Sequence, residues 1–209
     1  MKAVSRGKLV ISLFMVIVIA LAGAIGVYYL MLPNEGVDAI PSSTHLKNGD
    51  YVKYVEKSYV DNTQVSEYPI TWNVSEGVFN GTDCFVIKVT ANVDANTTTL
   101  IYWYMDKSTY ECLSMKTQTF VNNVLSSEYE SEYSSPPAVV DPKTIVGKET
   151  ITVPAGTLTC YKAVVTDEAT GKVTSLWFNA DVPIVGLVKF ETYENYQLIT
   201  ERELIDYSK

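Results

Sequence analysis

The chain has 209 residues, 16 basic and 24 acidic, with a single histidine and a formal charge of −8. That acidic balance excludes nucleic acid and anionic lipid headgroups as electrostatic partners, because both are gripped by clusters of Lys and Arg. With its one histidine at position 45, in a linker, Ser–His and Cys–His nucleophilic chemistry has no base and a histidine-built metal site is impossible.

Residues 1–8 form a short basic tail carrying Lys2, Arg6 and Lys8. Residues 9–32 follow as one uncharged apolar run, LVISLFMVIVIALAGAIGVYYLML. At about 1.5 Å per residue a helix of this length reaches roughly 36 Å, enough to cross a hydrocarbon core of about 30 Å with some tilt. The basic residues precede the run, while Glu35 and Asp38 are the first charges after it. The positive-inside bias therefore places the N-terminus in the cytoplasm and the remainder outside the cell membrane, as a single-pass protein. Tyr28 and Tyr29 then fall at the outer interface. Ala20-Leu21-Ala22 fits a small-x-small cleavage pattern, which is the rival reading. The apolar residues that continue to Leu32 favour an uncleaved anchor.

Residues 33–48, PNEGVDAIPSSTHLKN, have no periodicity and read as a flexible tether. All 24 acidic residues and 13 of the 16 basic ones lie beyond residue 32, so that part carries a formal −11. It is rich in Thr, Val, Ser and Tyr, which is strand composition. Residues 49–207 read as one extracytoplasmic β-domain.

Within it, Tyr51–Tyr59 is the first strand, and Asp61-Asn62 turns the chain into a strand over about 65–78. Asn80-Gly81 is the strongest hairpin signal, since both residues accept the positive φ of a primed turn. Phe85, Ile87, Val89, Ala91 and Val93 then alternate with polar residues, the cleanest half-buried strand in the chain. The stretch 98–105 has bulk on both faces, with Leu100, Tyr102 and Tyr104 opposing Ile101, Trp103 and Met105. Tyr110–Phe120 returns, and Asn122-Asn123 leads into 124–133. There Glu128, Glu130 and Glu132 share a face, as a divalent-cation site or, more simply, as the solvated side of an edge strand. Ser134–Gly147 carries three prolines and separates an earlier meander from a later one, as a strap or a lid. Lys148–Val153 and Leu158–Thr166 pair about Pro154-Ala155-Gly156. Val173–Asn179 follows, Asp181-Val182-Pro183 interrupts, and Gly186–Tyr193 and Tyr196–Asp206 pair about Glu194-Asn195. Roughly ten strands in consecutive hairpins predict an all-β domain built on one large antiparallel up-and-down sheet, curled into a half-barrel or open barrel.

Cys84, Cys112 and Cys160 match no zinc spacing, and allow either one disulfide with a spare thiol or three buried thiols. Asn73, Asn80 and Asn96 head Asn-x-Ser/Thr sequons and are possible glycosylation sites on an exported domain. No glycine-rich phosphate loop precedes a helix, and no cofactor or metal is implied. The expectation is a protein that is not an enzyme.

The stretch from Gly147 to Lys162, GKETITVPAGTLTCYK, together with Trp177–Pro183 (WFNADVP) and Gly186–Glu191 (GLVKFE), resembles a family of exported archaeal and bacterial β-proteins of unassigned function. Their pattern reads VPAGTF…CYK…W…GLVK, and the opening Asn48–Tyr54, NGDYVKY, is similar to their first strand. The hairpin Tyr102–Thr109, YWYMDKST, resembles that of lipoprotein carriers of the LolA type. That likeness implies a curled half-barrel holding acyl chains. The chain departs from these patterns in having Leu158 where an aromatic is usual, and in lacking an amphipathic segment to act as a helical plug.

Two functions follow as expectations. One is a membrane-anchored extracytoplasmic domain, held by residues 9–32, that binds a partner or serves as a surface component. The other is a carrier or sensor of a lipid or other apolar small molecule, with Trp72, Tyr102, Trp103, Tyr104 and Trp177 as lining candidates.

Overall fold

The computed structural model describes residues 46–131 and 144–209. The expectations for the basic tail, the anchor, most of the tether, Glu132 and the strap or lid over 134–147, except its last four residues, fall outside these residues. Among the described residues no helix is long and apolar enough to cross a membrane.

The domain is all-β. Its strands are β1 (Tyr51–Val60), β2 (Thr63–Phe79), β3 (Thr82–Asn92), β4 (Thr97–Asp106), β5 (Cys112–Val121), β6 (Val124–Ser131), β7 (Ile145–Val153), β8 (Gly156–Asp167), β9 (Lys172–Phe178), β10 (Leu187–Glu194) and β11 (Gln197–Tyr207). Turn chemistry sets most of the boundaries. Four two-residue connections, Asp61-Asn62, Asn80-Gly81, Asn122-Asn123 and Asn195-Tyr196, hold both residues at φ between 48 and 85°. That is the primed-turn geometry which matches strand twist, and asparagine or glycine enters it at little cost. The last of these turns sits one residue later than Glu194-Asn195 suggests. Tyr110 is not in β5: Asp106 accepts bonds from the backbone N–H groups of Ser108 and Thr109, and the lengthened turn puts Tyr110 at φ 59°.

All eleven strands form one antiparallel sheet in the order β6-β5-β4-β3-β2-β1-β11-β10-β9-β8-β7. Each meander is up-and-down, as the hairpin signals imply, but the whole is not a single meander. The first strand and the last lie side by side at the centre, paired from Val52↔Tyr207 to Ser58↔Thr200. The strands joined by residues 132–144, β6 and β7, are the two opposite edges, so the sheet is not closed into a barrel.

One face of this sheet carries the core. Inward positions recur with period two: Val52 and Tyr54 on β1, Ile70, Trp72 and Val74 on β2, Ile87 and Val89 on β3, and Ile101, Trp103 and Met105 on β4, all buried. The second half curls over that face. The β7–β8 turn reaches across to β11, where the Ala155 backbone N–H donates to the Leu204 carbonyl at 3.1 Å. That bond falls where the β10–β11 register has ended at Lys189↔Glu203. A second cover is the β9–β10 loop, whose Val182, Ile184 and Val185 are buried in the core. Ile184 sits there at φ 71°. A β-branched residue adopts that backbone only when its surroundings hold it.

The central seam is fastened by charge. Across adjacent strands the register aligns Phe190 (β10), Arg202 (β11), Glu56 (β1) and Tyr68 (β2) in one inward-facing row. Arg202 and Glu56 are 0% and 1% exposed, and Arg202 Nε donates to Glu56 Oε2 at 2.8 Å. Nη2 donates to the same oxygen, while the Tyr68 hydroxyl donates to Oε1. On the opposite face Lys57 meets Glu203 at 3.1 Å, and Lys189 meets Glu201 at 2.8 Å.

Removing one member of a buried pair strands the other charge, whereas replacing both with apolar side chains does not. Glu56→Gln is expected to lower the unfolding free energy by about 3–5 kcal/mol, and the double variant E56L/R202M by less than about 1 kcal/mol. Urea titrations of both variants measure this, and an equal loss in the two would show that the charges are not coupled.

Candidate functional site

Alternation along each strand decides which side chains meet. On β4 the odd positions face inward, so Trp103 is buried while Tyr102 and Tyr104 lie half-buried on the outer face. Trp72 is inward on β2. Its ring centroid lies 5.4 Å from that of Trp103 and 6.1 Å from that of Tyr54, the latter edge-on. The lining candidates thus divide. Trp72 and Trp103 come together inside, and the other three do not join them. Tyr104 packs on Phe79 at 4.7 Å, and Lys88 lies 5.8 Å from the Tyr102 ring. Trp177 pairs in register with Lys162 and Lys189, donates from Nε1 to Glu149, and has the Lys162 ammonium 4.6 Å from its ring. It is an outer-face residue under a charged layer.

Inside, the aromatic pair continues toward the central ion pair. The Arg202 guanidinium carbon stands 5.9 Å from the Tyr54 ring centroid and 4.9 Å from that of Phe190. Tyr54 in turn donates its hydroxyl to the Leu187 carbonyl at 2.9 Å, tying β1 to the start of β10. Arg202, Tyr54, Trp72 and Trp103 therefore make a diagonal row of buried side chains across the inner face, charged at one end and aromatic along its length. Sequence reasoning missed the charged end. A signal was present: Glu56 falls on the inward parity of Val52 and Tyr54, and Arg202 on that of Leu204, so opposite charges sat at core positions of two strands.

Three buried side-chain atoms among the described residues have no hydrogen-bond partner: Arg202 Nη1, Trp72 Nε1 and Ser66 Oγ. All three belong to inward positions of β11 and β2. Two of them, the guanidinium and indole nitrogens, are donors only. An unsatisfied buried donor costs about 1–3 kcal/mol, so a native core seldom leaves several on one face unless water or a ligand meets them.

Burial raises the Tyr54 phenol well above its ordinary value, and nearby Arg202 offsets only part of this. Burial, then the Glu56 carboxylate, raises Tyr68 further. On the outer face burial works against the charge of Lys189, but Glu201 and Glu191 outweigh it and hold the ammonium above the usual lysine range. Burial together with Glu191 pushes Tyr193 up to about 12. All three cysteines are free thiols, so no disulfide staples the sheet. Burial pushes Cys112 up to about 11, and burial with Glu149 does the same at Cys160. Neither thiol is primed as a nucleophile. Glu128 spends its carboxylate on Gln118 at 2.6 Å and Lys116 at 3.1 Å. Asn73, Asn80 and Asn96 are all exposed, so each sequon is sterically open.

No family model matches the chain, and no curated protein matches it. Among solved structures it is similar to that of a candidate exported protein with a YmcC-like fold from Bacteroides fragilis. The TM-score is 0.36 at 12% identity, over 78% of this chain and 97% of that one. At that distance the likeness assigns no function.

The two interior phenols give a testable alkaline limit. The native state binds their protons more tightly than the unfolded chain, whose tyrosines titrate near 10, so the stability they contribute is complete below that pH and is lost above it. The urea midpoint is expected to hold between about pH 7 and 9 and to fall from about pH 10 upward. A midpoint unchanged at about pH 11 would contradict the buried, protonated state of Tyr54 and Tyr68.

Proposed function

We propose that this chain is a membrane-anchored, extracytoplasmic binding domain whose ligand surface is the concave face of a half-barrel. Residues 9–32 cross the membrane with the N-terminus inside, and the tether presents the β-domain at the outer face. It acts by holding an apolar molecule, as a carrier or sensor, and not by catalysis. The observation that carries the reading is the buried row itself, where an aromatic pair and a charged end share one buried face with donors that no protein group satisfies.

The anchor supports the location, being long enough to span and preceded by the basic residues. The absence from the sequence of a histidine base within the domain supports binding over hydrolysis. Tyr102, Tyr104 and Trp177 are outer-face residues and take no part in this ligand surface.

Two measurements test the proposal. The full chain purified from membranes is expected to yield, on organic extraction and mass spectrometry, an apolar compound enriched over the surrounding membrane and near one per chain. An extract that merely mirrors the bulk membrane would count against a ligand surface. N-terminal sequencing of the mature protein is expected to read through the anchor, and a mature chain beginning after Ala22 would overturn the tethering.

A further inference from the structure

The two edges of the sheet are not alike. An edge strand leaves alternate backbone N–H and C=O groups unpaired, and it accepts a further strand unless a bulge, a proline, a lysine or a cover blunts it. On β7 the register shifts between Ile145 and Gly147, exposed Lys148 follows, and the turn after the strand is bonded to Leu204 of β11. On β6 none of these devices is found among the described residues. Its sequence, VLSSEYES, has no lysine, proline or glycine. Its register with β5 runs unbroken from Met115↔Ser131 to Thr119↔Ser127, so no bulge interrupts the free edge over 127–131. Every residue of β6 before Ser131 is exposed.

The side chains of that edge say what it accepts. Glu128 and Glu130 lie on the outer face, opposite Gln118 and Lys116, while Tyr129 lies on the other face, opposite Thr117, and is 62% exposed. Glu128 is matched by Gln118 at 2.6 Å and Lys116 at 3.1 Å. Glu130 has no ion pair among the described residues and accepts there only from Ser114 Oγ, at 3.4 Å. A second copy of β6 fits this edge badly. Antiparallel pairing about a two-fold axis normal to the sheet keeps like faces together, so the glutamates of one copy lie beside those of the other, and like charges across strands are destabilising. A foreign strand with a basic side chain beside Glu130 and an apolar one beside Tyr129 meets both needs.

We propose that β6 is the docking edge for an extended segment of a partner protein, which adds a strand beside residues 127–131. The segment alternates basic residues, on the side of Glu128 and Glu130, with apolar ones on the side of Tyr129. Main-chain hydrogen bonds to the free edge supply the binding, and the alternating side chains supply the selectivity. The site lies on the sheet's edge and not on its concave face, so it stands whether or not that face holds a ligand.

The full chain in alkyl maltoside micelles, at about 0.15 M salt to screen loose charge contacts, is titrated with a fluorescein-labelled peptide of alternating lysine and valine. Two comparison peptides accompany it. One is the same sequence N-methylated at every residue, which keeps the side chains and loses the backbone donors; the other alternates glutamate and valine. The lysine peptide is expected to bind about tenfold more tightly than either, as read by fluorescence anisotropy. It is also expected to slow amide hydrogen exchange over 127–131 about tenfold while leaving β7 unchanged. Glu130→Lys, at an exposed position, is expected to weaken the lysine peptide about fivefold, the scale of one cross-strand charge pair. Equal binding of the N-methylated peptide, or protection that appears on β7 and not on β6, would overturn strand addition. Equal binding of the glutamate peptide, or a Glu130→Lys variant that binds as the parent does, would overturn the basic partner. Protection of 127–131 that rises with the chain's own concentration, without peptide, would place a second copy on the edge and overturn the foreign strand. Binding by none of the peptides would overturn the docking edge itself.

Discussion

The structure depends on one junction. An eleven-stranded antiparallel sheet is assembled from two meanders, and the only ladder that joins them is β1 against β11, strands almost at the two ends of the described domain. Closing that contact costs loop entropy before it returns any energy, whereas every other pairing in the sheet is between consecutive strands joined by a short connection. The ladder is also imperfect, with a register shift at Lys53/Tyr54. Charges on both faces compensate. Glu56 and Arg202 meet on the buried side, and Lys57 and Lys189 with Glu201 and Glu203 on the outer side. An ion pair with hydrogen-bonded partners discriminates against alternative registers, because a slip of one residue would bury each charge alone or turn it outward.

A single sheet has two faces, and covering the inner one is the second constraint. No packed helix or second sheet is present among the described residues. The cover is made from the sheet's own curl, with the β7–β8 turn bonded to Leu204, and from the β9–β10 loop with Ile184 held at a positive φ. The interior so closed is tightly buried, with Tyr54, Trp72, Ile87, Ile101 and Arg202 wholly excluded from solvent. That is where the unpartnered nitrogens of Arg202 and Trp72 lie.

Local chemistry was legible in the sequence and long-range chemistry was not. Asn80-Gly81 and the alternation from Phe85 to Ala91 announce a hairpin and a half-buried strand, because turn φ and strand parity are properties of adjacent residues. The strand order could not be read the same way: nothing near Tyr51 or Tyr207 encodes that they are neighbours. Trp177 was grouped with Trp72 and Trp103 by aromatic content alone, and its register with Lys162 and Lys189 puts it on the other face of the sheet, buried beneath those lysines. Asp181-Val182-Pro183 looked like an interruption, since a loop that buries Val182 and Ile184 carries no period. Glu56 and Arg202 lay between these cases. Each broke the apolar parity of its own strand, and only together did the two breaks mean a pair.

The most direct measurement is an experimental density map of the full chain purified from membranes, inspected at Arg202 Nη1 and Trp72 Nε1. Elongated non-protein density against the inner face beside Trp72 and Trp103 is the expected result. A solidly packed interior in which a protein group accepts from Nη1 would contradict it.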